Sequence, residues 1–313
     1  MRFGAAVLAV CSCAAAADIF PGRTTADAKG RIVALSLRSS WVEDSDLERI
    51  ARFGDLRELD LSHTRITDIG FQRLKSLRNL TRVNLCYAEQ IGDGALAAAR
   101  EWKSLRELNL RGTKVTDAGL AHLAGLPIES LDVGHSLVTD GGLEHLANLP
   151  QLRKLAAGGN KLTDSGLNSL RLMRGLTELD LGGVQRTDSG LWSAAVTDRT
   201  LDAIASLPDL ESLNIRGARF TDAGLPTLAR LTRLRVLDIG DTQISTKGLA
   251  ELAGLEKLER LSLYNARRIG DEAVPVLQRM KALRWLDVTG TSITAAGLHE
   301  FRSARPNCTV ITE

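Results

Sequence analysis

The chain has 313 residues, a formal net charge of +2 and 4% aromatic residues. So balanced a charge argues against nucleic acid or an anionic membrane as partner, and so few rings argue against a base-stacking surface. No stretch approaches the roughly 20 apolar residues of a membrane-spanning helix.

Residues 1–17 stand apart. Arg2 precedes an apolar run over residues 5–10, and Ala15-Ala16-Ala17 offers small residues before Asp18. This resembles a secretory signal peptide, so export to the periplasm, the cell envelope or the medium is expected, and a cytoplasmic location if the leader is not cleaved. A disordered apolar tail and a misplaced start are the alternatives, and Cys11 and Cys13 raise the question of a lipid anchor. Residues 18–31 read as a linker or N-terminal cap.

Residues 32–313 repeat. The phrase Leu-x-x-Leu-x-Leu starts at Leu56, Leu80, Leu105, Ile128, Leu152, Leu176, Leu210, Leu234, Leu258 and Leu283, at spacings of 24, 25, 23, 24, 24, 34, 24, 24 and 25. So short a period means one small unit stacked about eleven times, with a core shared between neighbours. In LRELNLRGTKVTDAGLAHLAGLP, Leu108 and Leu110 are two apart and point to one side of a strand, with Asn109 on the other. Val115, Leu120, Leu123 and Leu126 follow at helix-like spacing, Thr116-Asp117 reads as a helix start, and Pro127 stops the helix. The Thr-Asp pair recurs at Thr67, Thr139, Thr163, Thr197 and Thr221, with Gly70, Gly119, Gly142, Gly166 and Gly224 two residues after the Asp. Capping explains the pair and close packing of backbone explains the glycine; a column of cation-binding Asp is the less favoured alternative.

These residues resemble a leucine-rich-repeat protein of the short bacterial form rich in ITDxGL. LTRVNLCYAEQIGDGAL and LERLSLYNARRIGDEAV, each with one extra loop residue, are also similar to the cysteine-containing repeats of F-box proteins. The resemblance covers roughly residues 32–313. It implies an α/β leucine-rich-repeat solenoid, a curved horseshoe with a parallel inner sheet and short outer helices. The family pattern puts Asn or Cys at the ninth position of the unit. Thr64, Thr113, Thr242, Thr291, Ala88, Ala218 and Ala266 stand there instead, which weakens the expectation of a continuous side-chain ladder.

IVALSL, one period before the Leu56 unit, opens the array, and RPNCTVIT closes it. Without the leader only Cys86 and Cys308 remain, in units near opposite ends, so no disulfide between them is expected. Trp102 takes a core position beside the small Ala99.

In register, equivalent positions form columns on the inner face. One column holds Asp60, Asp132, Asp180, Asp238 and Asp287, never in adjacent units, so that carboxylates avoid one another. A solvated stripe is the leading reading and an acidic binding stripe the other. Glu58, Arg82 and Glu107 alternate in sign as scaffold. Gly134, Gly158 and Gly182 leave a bare patch, either from tight turning or for a partner's approach. The last units place Val236, Arg260, Tyr264 and Trp285 on this face, beside Asp238 and Asp287, and such residues carry binding energy at interfaces. The 34-residue spacing holds a rim insertion at about residues 182–195, whose Arg186 and Trp192 either contact a partner or fold back as a lid. TDSGL inside it imitates the repeat, which leaves a slipped or partly duplicated unit open.

No catalytic constellation is found. His122 and His145 lie one unit apart on the outer surface, where two imidazoles make a weak metal site, and His63 and His135 are too far apart to cooperate. There is no phosphate loop, zinc spacing or nucleophile motif, so neither cofactor nor metal is expected. The sequence therefore predicts a monomeric, non-catalytic binding module for a protein partner, with a glycan the alternative. A targeting subunit of an enzyme assembly, as the F-box resemblance implies, and a purely structural envelope component are the competing readings.

Overall fold

The computed structural model describes residues 23–313, so the expected leader lies outside the described residues. The chain forms two compact units, one ending at Leu137 and the other Val138–Glu313.

In the first unit, β1 (Thr24–Ala26) runs antiparallel to β2 (Ile32–Ser36). β3 (Glu58–Asp60), β4 (Arg82–Asn84), β5 (Glu107–Asn109) and β6 (Ser130–Asp132) then follow in parallel, one per period. Their register aligns Leu35, Leu59, Val83, Leu108 and Leu131, all at most 2% exposed. The alternate residues face solvent, since successive strand side chains point to opposite faces. The cap expected over residues 18–31 includes β1, which covers the edge of β2 and leaves fewer free backbone groups there. Outside the leucine layer lie short helices such as Asp44–Ile50 and Asp93–Ala99. Trp102 is fully buried, with its ring edge against Phe71 and its Nε1 donating to the Leu74 carbonyl at 3.3 Å.

The second unit repeats the plan with β7 (Lys154–Ala156), β8 (Glu178–Asp180), β11 (Ser212–Asn214), β12 (Val236–Asp238), β13 (Arg260–Ser262), β14 (Trp285–Asp287) and β15 (Thr309–Ile311), all parallel. Between β8 and β11 the insertion forms an antiparallel hairpin, β9 (Gln185–Thr187) and β10 (Gly190–Trp192). Asp188-Ser189 of the TDSGL stretch is the turn of that hairpin, so no slipped repeat is present. Past the final helix, Ala295–Ala304, the Arg305 guanidinium donates to the carbonyls of Gln278, Met280, Lys281 and Leu283. Those bonds pair backbone acceptors where the following coils end.

The recurring Thr-Asp pair joins coils. Helices do begin at the Asp, and the preceding Thr caps some of them, as Thr116 Oγ1 accepts from Ala118 N at 3.3 Å. The carboxylate, however, reaches into the next coil. Asp44 accepts from Thr67 N at 2.9 Å and Thr67 Oγ1 at 2.6 Å. Asp93 with Thr116, Asp140 with Thr163, Asp198 with Thr221, Asp222 with Ser245 and Asp271 with Thr294 repeat this two-bond rung. Asp164 reaches Thr197 across the whole insertion. The glycine two residues on gives that carboxylate room: a Cβ at Gly166 would meet Asp140 Oδ1 at 2.2 Å, and one at Gly248 would meet Asp222 Oδ1 at 2.3 Å.

At the ninth position each Thr closes its own turn. Thr64, Thr113 and Thr242 donate to the carbonyl three residues back at 2.6 Å, and Thr291 does so at 2.7 Å.

Candidate functional site

The Asp and Asn column has a local cause that the sequence reading missed. Each Oδ1 accepts the backbone N–H two residues on: Asp60 from Ser62, Asn84 from Cys86, Asn109 from Arg111, Asp132 from Gly134, Asp180 from Gly182, Asn214 from Arg216, Asp238 from Gly240 and Asp287 from Thr289, all at 2.8–3.1 Å. Asp and Asn share this geometry because both offer a short side-chain oxygen to a turn. Asp238 and Asp287 thus shape the exit of their strands. Burial raises the Asp132 carboxyl above the usual range, against the Gly134 N–H and the nearby Arg111.

The residue three positions after the column holds a left-handed backbone in each of these coils. Gly112, Gly159, Gly183, Gly217 and Gly290 hold φ of 69–105° there, as do Ser39, His63, Tyr87, His135, Asp241 and Asn265 at 53–55°. Asn, Asp and His tolerate this conformation; a bulky residue such as Tyr87 is out of place in it.

Of the bare patch expected at Gly134, Gly158 and Gly182, the last two positions follow from close packing of coils. A Cβ at Gly158 would meet the Gly182 carbonyl oxygen at 1.7 Å, and one at Gly182 would meet the Asn214 amide at 2.6 Å.

In the second unit the register brings most of the expected binding residues into two adjacent rows. Val236, Arg260 and Trp285 are paired neighbours on β12, β13 and β14, and Asp238, Ser262 and Asp287 form the row beside them. Arg260 lays its guanidinium 4.5 Å from the centre of the Trp285 ring. Tyr264, two residues past β13, receives Arg216 at 4.0 Å. Arg216 also pairs with Asp241 at 2.6 Å, and Asp241 accepts from the Asn265 amide at 2.7 Å. Burial, which opposes ionisation of Asp241, is outweighed by the Asn265 amide and the Arg216 guanidinium, so its carboxyl sits below the usual range. Both aromatic rings therefore stand on the solvent side of the sheet, each with one face held by a cation, while Leu237, Leu261 and Leu286 fill the opposite side. Such ring–guanidinium pairs fix the orientation of two long side chains before any partner arrives.

Arg186 and Trp192 lie on the hairpin and not in these rows. Arg186 is exposed on β9, and the Trp192 Nε1 donates to Ser189 Oγ at 3.0 Å within the hairpin itself. Leu191 and Val184, 68% and 55% exposed, are apolar residues of the insertion that sequence reasoning passed over. The notable signal was their place inside the one off-period spacing. The histidines do not form a site: His145 is exposed and His122 half-buried, and no group of three His, Cys, Asp or Glu converges among the described residues. Cys86 and Cys308 are free thiols.

A "Leucine Rich repeat" family model matches residues 55–74, 103–124 and 231–253. No curated protein matches the chain. Among solved structures, an internalin (inlF) of Listeria monocytogenes is similar over 96% of this chain and 93% of its own, with a TM-score of 0.61 and 21% identity. Internalin C2 (inlC2) of the same organism is similar over 72% of this chain and 78% of its own, with a TM-score of 0.43 and 23% identity. Repeat pattern, register and comparison agree on an α/β leucine-rich-repeat solenoid.

Proposed function

We propose that the chain is a non-catalytic module that binds a protein partner on the solvent face of the sheet in its second unit. The observation that carries this reading is the Arg260–Trp285 pair, with Arg216–Tyr264 beside it. A tryptophan on a strand face outside the core contributes little to packing, whereas Trp, Tyr and Arg dominate the energetics of protein interfaces. Val236 adds apolar area, and the carboxylates of Asp238 and Asp287 supply acceptors beside it. Arg186 and Trp192 extend it along the insertion. The composition of residues 1–17 supports a place of action outside the cytoplasm.

The test is affinity capture with the full chain and with Trp285→Ala/Tyr264→Ala, followed by mass spectrometry. A specific protein captured by the parent and lost at least about tenfold by the variant, with an unchanged unfolding midpoint, supports the reading. A midpoint that collapses in the variant would show that these rings are packing, and would end it.

A further inference from the structure

In the first unit, the loops that leave the strands carry rings and cations that the fold does not use. Trp41 is 86% exposed, and the Arg65 guanidinium lies 5.1 Å from its ring centre. His63 and Tyr87, on neighbouring coils, stack with centroids 5.4 Å apart and an interplanar angle of 23°. Both sit at the left-handed position of the turn, with φ of 55° and 53°, where the next coil has Gly112. The Tyr87 ring lies over Gly112, in the space that a Cβ there would need. A tyrosine held in a backbone conformation that favours glycine, with its ring outside the core, is strain that stability alone does not explain. His63, Thr64, Arg65, Tyr87, Glu89 and Gln90 line an open cleft at this place.

The charges here are one-sided in their commitments. The acids around the loops are already engaged: Asp44, Asp68 and Asp93 hold rungs between coils, Asp60 and Asp132 hold turns, and Glu43 caps its helix. Arg38, Arg65 and Lys114 are exposed, and none has a carboxylate partner among the described residues. Glu89 is an exposed acid that lines the cleft with Arg65.

We infer that this loop rim is a second docking surface, distinct from the sheet face of the other unit, and that it takes an acidic segment of a partner protein. The three free cations supply charge complementarity, and Trp41 and the His63–Tyr87 stack supply flat apolar area for side chains flanking the acids.

The experiment uses the full chain and a fluorescent poly-L-glutamate of about 20 residues at low salt, with dextran sulfate as a second probe. The expected result is saturable binding of poly-L-glutamate that weakens as salt rises. Arg38→Gln/Arg65→Gln/Lys114→Gln weakens it at least about tenfold. Trp41→Ala, which removes a ring outside the core, and Tyr87→Asn, which places the residue type of Asn265 at the equivalent turn, both weaken it without lowering the unfolding midpoint. Failure to bind poly-L-glutamate, equal binding by the variants, or binding of dextran sulfate alone would each overturn the inference, the last in favour of an anionic glycan.

Discussion

The carboxylate of Asp44 occupies the space in which a side chain at Gly70 would have to stand. A Cβ built there meets Asp44 Oδ1 at 2.1 Å. Because that carboxylate is fixed by two bonds from Thr67, it cannot withdraw without breaking a rung. Gly70→Ala is therefore expected to destabilise the chain by about 1–3 kcal/mol, the usual range for overpacking a fitted site. Gly54→Ala, with nothing within 4 Å of the added carbon, is expected to stay within about 0.5 kcal/mol of the parent. Urea unfolding of both variants checks the contrast, and equal effects would dismiss the steric account.

Among the described residues, the coil of Thr246 lacks this rung, and two residues account for it. Thr246 stands where other coils carry the Asp, and its Oγ1 is buried without a partner. The next coil has Gly270-Asp271-Glu272, where an earlier one has Gly92-Asp93-Gly94. There Asp68 accepts from Gly92 N at 2.7 Å, and a Cβ at Gly94 would meet the Asp68 carboxylate at 2.7 Å. An Asp at 246 would thus find its donor, the Gly270 N–H, next to the Glu272 side chain. Thr246→Asp alone is expected to destabilise. Combined with Glu272→Gly it is expected to form the rung, with a favourable coupling of about 1 kcal/mol in a double-mutant cycle. Strict additivity of the two substitutions would count against it.

The N-terminal strand is expected to respond to acid. Hydrogen bonds from the Arg31 side chain and backbone lower the Asp27 carboxyl from 3.8 to about 2. A carboxylate lowered in the folded state stabilises above its unfolded value and loses that contribution as pH falls through the folded one. The attachment of β1 to β2 is thus expected to be complete above pH 3.8 and to loosen toward pH 2. Amide resonances of Thr24–Ala26, followed through an acid titration, give the readout. Asp27→Asn should show the loosened shifts already at neutral pH, and unchanged shifts in that variant would refute the assignment.

The repeat was legible because burial imposes a period, and leucines reveal it whatever else the chain does. Trp102 was legible for the same reason, since a large residue beside Ala99 fits one core volume. The rungs were not, because a Thr-Asp pair before a helix has a sufficient local explanation as a cap, and only coordinates show the Asp140 carboxylate reaching Thr163. The hairpin was misleading for a related reason: TDSGL has the letters of a helix start, yet without following leucines at helical spacing it forms a turn. At the sheet face, the row of Val236, Arg260 and Trp285 followed from the period, whereas the stacking of Arg216 on Tyr264 depends on rotamers that no column of letters records.

The insertion is an appendage that the repeat can lose. Ala194, Ala195 and Val196 take the places of Asn160, Lys161 and Leu162 one coil earlier, with Ala194 and Val196 buried and Ala195 N donating to the Leu162 carbonyl at 2.8 Å. Gly183, like Gly159, holds the left-handed turn just before. The extra residues are therefore Val184–Ser193, and removing them joins Gly183 to Ala194 at the ordinary spacing. An isolated two-stranded hairpin adds little stability of its own. The deletion is expected to cost less than about 1 kcal/mol, because the Asp164–Thr197 rung and the Leu179–Leu213 pairing do not involve it. If Arg186 and Trp192 extend the binding surface, the same deletion weakens partner capture while the unfolding midpoint holds. Cooperative loss of structure on deletion, seen by circular dichroism, would instead make the hairpin part of the scaffold, because Gln185 and Trp192 would then be supporting the coils on either side.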